Sequence, residues 1–145
     1  MNKILIATDL SEQKDIIINE GMILATHLNA DVELLTVINK NLDFIPMDTG
    51  MNFTNQWEAR KYLAENTLQE IKENYPQLNI KISVFIGTPT EDIINQAIKN
   101  KSSIIVMGTQ GKNDISQIIL GSTAEHVIRH SPIPVLIVPL NKYAH

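Results

Sequence analysis

Apolar residues in this chain fall into five short runs, at positions 3–8, 32–38, 80–86, 104–108 and 135–138. Most are apolar nearly throughout instead of alternating with polar residues, the pattern of strands covered on both faces. Helical spacing fills the intervals. Ile17, Gly21, Leu24, Ala25 and Leu28 share one face of a first helix, with Ser11 as its expected N-cap. Ala64, Leu68, Ile71 and Tyr75 line a second, stopped by Pro76. Thr90 is the expected cap of a third, carrying Ile93, Ile94, Ala97 and Ile98. A fourth begins at Ser122 or its neighbour, turns Ala124, Val127 and Ile128 inward, and ends at Ser131-Pro132. The order βαβαβαβαβ predicts one α/β domain over residues 1–145: an open five-stranded parallel sheet, right-handed crossovers and helices on both faces.

One stretch breaks the rhythm. Residues 39–53 mix Phe44, Ile45, Pro46, Met47, Gly50, Met51 and Phe53 without a period. A connection that long carries a function or is mobile. Its apolar content suits a lid over a ligand or a contact with a second subunit.

Composition narrows the function. With 43% hydrophobic and 19% charged residues the chain is globular, not disordered. Its formal net charge of −4 offers no basic field for nucleic acid or anionic lipid. The absence of cysteine excludes disulfides, thiolate nucleophiles and thiolate zinc sites. No apolar stretch reaches bilayer length, and the opening run is too short for a signal-peptide core, so the expected location is cytoplasmic with no membrane partner.

The candidate chemistry lies in Gly108-Thr109-Gln110-Gly111 and Gly121-Ser122, spaced G-x2-G-x9-G-S directly after the fourth apolar run. Glycines let an anion approach the main chain, and the start of a helix directs N–H groups and a dipole at it. In open α/β sheets ligands bind beyond the carboxyl ends of the strands, where the strand order reverses. If the sheet runs 3-2-1-4-5, Asp9 and the glycine loop share one crevice, with Val37 as a side wall. Each element also has an ordinary structural use: Asp9 as a turn-former before a helix, the glycines as a strand-to-loop turn, Ser122 and Thr123 as caps. His126 and His130 are four apart on the fourth helix, without a visible third metal ligand. A phosphate-loop lysine motif, a dinucleotide fingerprint after the first strand and a nucleophile elbow are all absent.

Taken together, the chain resembles the universal stress protein family, specifically its ATP-binding branch. The likeness runs from Ile4-Leu5-Ile6-Ala7-Thr8-Asp9-Leu10-Ser11 through Gly87-Thr88-Pro89. It is densest from Ile105-Val106-Met107-Gly108 to Leu120-Gly121-Ser122-Thr123-Ala124-Glu125-His126-Val127-Ile128-Arg129-His130, and continues in Ser131-Pro132-Ile133-Pro134-Val135-Leu136-Ile137-Val138. The resemblance implies a Rossmann-like sheet in the order 3-2-1-4-5. It also implies a homodimer paired through the last strand, Val135, Leu136, Ile137 and Val138. By the same resemblance, ATP (or ADP or AMP) with Mg²⁺ would be held by Ala7, Thr8, Asp9, Val37, Met107, Gly108, Thr109, Gly111, Gly121, Ser122, Thr123 and Ala124. Thr8, Asp9 and Val37 would lie at adenine and ribose, and the glycine segments at ribose and phosphates. Mg²⁺ would sit at the phosphates, with Asp9 as a candidate ligand. Thr109 and Gln110 are neutral where many members carry a basic residue, which leaves the number of phosphates open.

The expected function is a dimeric, nucleotide-dependent stress-response module. The alternatives are a slow ATP hydrolase, turning over far below the median enzyme rate of about 10 s⁻¹, and a nucleotide-free dimeric factor acting through protein contacts.

Overall fold

Alternate residues of the first strand enter two different cores. Ile4 and Ile6 join one cluster, Leu5 and Ala7 the other, the period of two that a strand dictates. The computed structural model describes residues 2–11, 13–41, 56–109 and 120–140. Its elements in chain order are β1 (Lys3–Ala7), α1 (Lys14–Leu28), β2 (Asp31–Asn39), α2 (Gln56–Glu73), β3 (Ile80–Gly87), α3 (Pro89–Lys99), β4 (Ile104–Gly108), α4 (Ser122–His130) and β5 (Val135–Val138).

The five strands form one sheet in the order β3-β2-β1-β4-β5, and every pairing is parallel. Helices α1 and α2 supply the first core through Ile17, Ile18, Met22, Ala25, Ala64, Leu68 and Ile71. Helices α3 and α4 supply the second through Ile93, Ile94, Ala97, Ala124 and Val127. The predicted fold class and strand order therefore hold.

Local expectations need five corrections. Helix α1 is capped at Gln13, not Ser11. The Thr8 and Asp9 side chains accept from the N–H groups of Leu10 and Ser11, and these turns delay the helix; Ser11 contributes its carbonyl to Lys14 instead. Helix α3 is capped at Thr88, not Thr90, with Pro89 in its first turn. Proline fits there because its missing donor would have had no partner. On α1, Ile18 and Met22 are buried while Leu28, in its last turn, is 42% exposed. Ile128 is likewise 44% exposed on the solvent side of α4, leaving Ala124 and Val127 as that helix's buried contacts. Tyr75 lies beyond the end of α2 but still packs on the first core.

Close packing of α1 on the sheet has a sequence cause. A Cβ on Gly21 would stand 2.5 Å from Ile6 Cδ1, so glycine is what lets the helix sit against β1. Of the long connection after β2, only its opening is described: Asn39 Oδ1 accepts from the Asn41 N–H at 2.9 Å. The apolar residues Phe44 to Phe53 lie outside the described residues.

Candidate functional site

Helix α1 follows β1 onto one face of the sheet and α4 follows β4 onto the other. Because β1 and β4 are hydrogen-bonded neighbours, with Ile6 opposite Val106, the chain leaves both at the same end and diverges. That divergence is where an open α/β sheet forms its crevice. Thr8 and Asp9 stand on one side of it, Gly108 and Thr109 on the other.

The first side is built by local hydrogen bonds. Leu10 sits at φ 61, a left-handed conformation that costs a branched-chain residue about 1–2 kcal/mol. The turn is held by Thr8 Oγ1, which accepts from the Leu10 N–H at 3.1 Å, and by Asp9 Oδ1, which accepts from the Ser11 N–H at 3.0 Å. Thr8 is buried, its carbonyl accepting from Thr36 Oγ1 at 2.9 Å and its N–H donating to the Leu35 carbonyl at 3.0 Å. Asp9 remains exposed beyond it. Ala7 is buried, and Val37 packs half-buried against the second core.

The second side is organised around Thr109. Its carbonyl accepts from the Gly121 N–H at 2.6 Å, which brings the start of α4 to the end of β4. Gly121 is the N-cap of α4 and has no side chain with which to cap it. The amides of Ser122, Thr123 and Ala124 form the first turn, where N–H groups have no acceptor within the helix. Ser122 is exposed, Thr123 half-buried and Ala124 buried. Such a turn, with the positive end of the helix dipole, suits a phosphate or carboxylate.

Sequence reasoning offered the glycines of this region for ligand approach or for a strand-to-loop turn, and Gly108 has a packing reason as well. A Cβ on Gly108 would lie 2.7 Å from Leu140 Cδ1 and 2.8 Å from Ile17 Cδ1, so the close approach at this position is made by core side chains. Met107 is buried in the second core. Gly111 lies outside the described residues.

No set of three or more His, Asp or Glu able to hold a metal occurs among the described residues. A Mg²⁺ ion held by the described residues would need phosphate oxygens and water for most of its ligands, the way that ion is usually held. His126 and His130 stack, with ring centroids 4.1 Å apart, and His130 Nδ1 lies 2.9 Å from the His126 carbonyl. No helix among the described residues is long and apolar enough to cross a membrane.

Sequence reasoning missed a second polar cluster. Glu33, in the apolar run of β2, is 7% exposed. Its carboxylate accepts from Ser83 Oγ at 2.7 Å, Gln96 Nε2 at 2.6 Å and Asn100 Nδ2 at 2.6 Å. An acid inside the largely apolar run 32–38 was the available signal.

Comparison with known proteins agrees with the geometry. Residues 1–139 match the family model described as the universal stress protein family. Universal stress protein MJ0531 of Methanocaldococcus jannaschii is 32% identical, over 94% of this chain and 81% of its own. MJ0577, from the same organism, is 32% identical over 94% of this chain and 93% of its own. Its solved structure superposes with a TM-score of 0.77 at 31% identity, covering 95% of each chain. A universal stress protein solved in complex with cAMP shares the fold at a TM-score of 0.70 and 20% identity, covering 96% of this chain and 97% of its own. With residues 1–139 matched by the family's model, this chain belongs to the universal stress protein family.

Proposed function

We propose that this protein binds an adenine nucleotide in the crevice between the β1 and β4 ends and acts as a dimeric regulatory module whose surface depends on occupancy. The observation that carries the reading is the start of α4, where the N-cap is a glycine fastened to Thr109 and, among the described residues, no side chain caps the first turn. Those amides and the helix dipole suit phosphates, and exposed Asp9 across the crevice suits ribose hydroxyls. The net charge of −4 makes local dipoles and a cation, not a basic patch, the source of anion affinity. That a member of this fold was solved with cAMP is consistent with an adenine ligand. ATP with Mg²⁺ is the expected ligand, and β5, an edge strand with Leu136 38% exposed, is the expected dimer contact.

One observation favours a nucleotide-free factor instead: Gly108 has a packing reason of its own. Isothermal titration with ATP and Mg²⁺ separates the two readings. Saturable binding supports the nucleotide module, and no heat at millimolar ATP removes it. Mass spectrometry of adenine nucleotide retained through gentle purification gives an independent answer, and sedimentation across a dilution series tests the dimer.

A further inference from the structure

Two stretches that border the crevice, the end of β4 and the start of α1, are fastened to one short segment at the end of β5. Thr109 donates its N–H to the Val138 carbonyl at 3.2 Å, and its Oγ1 accepts from the Leu140 N–H at 3.4 Å. From the α1 cap, Gln13 Nε2 donates to the Leu140 carbonyl at 3.2 Å. The Leu140 side chain, 4% exposed, fills the space beside Gly108 and Ile17. Thr109 itself is 4% exposed, and its N–H, carbonyl and hydroxyl all engage protein groups: Val138, the Gly121 N–H and Leu140.

This geometry makes a direct role for Thr109 in holding a ligand a poor match, although the family resemblance places it in the nucleotide set. We propose that Thr109 is a positioning residue that couples the crevice to the β5 edge, so that occupancy of the one alters the other. The inference rests on the nucleotide reading above. Its physical basis is that close-packed interiors transmit displacement and do not absorb it. A ligand that draws in the first turn of α4 pulls on Gly121, hence on the Thr109 carbonyl. The other two polar groups of Thr109 are anchored to residues 138–140, in direct continuation of the edge strand. The exposed edge is then the surface on which a second copy, or another partner, would register the ligand.

Amide hydrogen exchange of the full chain, with and without ATP and Mg²⁺, tests this in the wild type, Thr109→Val and Thr109→Ser. Valine keeps the shape and both backbone bonds but removes the acceptor for Leu140, while serine retains it. In the wild type, nucleotide should slow exchange at Ser122 and Thr123 and also at Leu140 and residues 135–138. In Thr109→Val the ratio of protection at Leu140 and β5 to protection at Ser122 and Thr123 should fall roughly fivefold, the worth of one ordinary hydrogen bond. Thr109→Ser should restore it. A Thr109→Val ratio equal to wild type overturns the proposal, as does a wild type whose crevice amides respond while β5 stays silent.

If no wild-type amide responds to ATP, the nucleotide reading itself has failed. The tie is then judged without ligand: Thr109→Val must speed exchange at Leu140 and Gly121 together, and an unchanged Gly121 refutes it. Should Thr109→Val not fold, Gln13→Leu, which frees the Leu140 carbonyl, takes its place with the same outcomes at Leu140 and β5.

Discussion

Two polar regions of this molecule invite a functional reading, and they are built on opposite principles. The Glu33 cluster is made of side chains and is closed. A buried carboxylate accepts from three neutral donors drawn from β3, α3 and the α3 cap, leaving no evident position for a substrate atom. The crevice at the β1 and β4 ends is, among the described residues, framed largely by main-chain groups. Its donors are first-turn amides of α4 and its acid, Asp9, is exposed. A buried charge with every partner present fixes structure. Helix-start amides that no side chain caps among the described residues are what a ligand can use.

The largest expected effect tests the closed cluster. Glu33→Ala leaves the donors of Ser83, Gln96 and Asn100 without their acceptor and should lower unfolding free energy by about 3 kcal/mol, measured by urea denaturation. The folded protein should still bind ATP with unchanged affinity. A parallel loss of binding would mean that the two regions are one.

Gly108→Ala comes next. The added methyl meets Leu140 and Ile17 at under 3 Å, and overpacking of this kind should cost about 2 kcal/mol without any nucleotide present. A variant as stable as wild type, yet unable to bind ATP, would return Gly108 to the ligand's side of the crevice.

Asp9→Ala addresses the crevice directly. Calorimetry should show about a tenfold weaker ATP affinity, or about 1.4 kcal/mol, with a smaller stability change because Asp9 is exposed. Full affinity in this variant would limit Asp9 to its turn with Ser11.

Gly87→Ala is the mildest and serves as a control that leaves the α4 cap itself unchanged. Its Cβ would displace the Asp92 carboxylate, which accepts from the Thr88 N–H at 3.0 Å. Loss of that cap should cost about 1 kcal/mol in thermal or urea unfolding, with ATP affinity unaffected.

The alternation of apolar runs and helical spacings determined the element order, the parallel sheet and its crevice, because buried strands and amphipathic helices leave periods that neighbouring residues alone reveal. Strands β4 and β5 were legible to the residue for that reason. The caps of α1 and α3 were not: hydroxyls recur at 88 and 90, and at α1 the turns made by Thr8 and Asp9 move the cap past Ser11 to Gln13, which only the path of the chain decides. Whether Glu33 would be buried and satisfied depended on β3 and α3 arriving beside it, fifty and more residues away. The same holds for Gly108 and Thr109. Their sequence motif announces an anion site, but what surrounds them is Leu140, Ile17 and Val138, brought there by the return of β5. Local pattern determines which elements form; long-range packing decides which polar groups are already spent and which remain for a ligand.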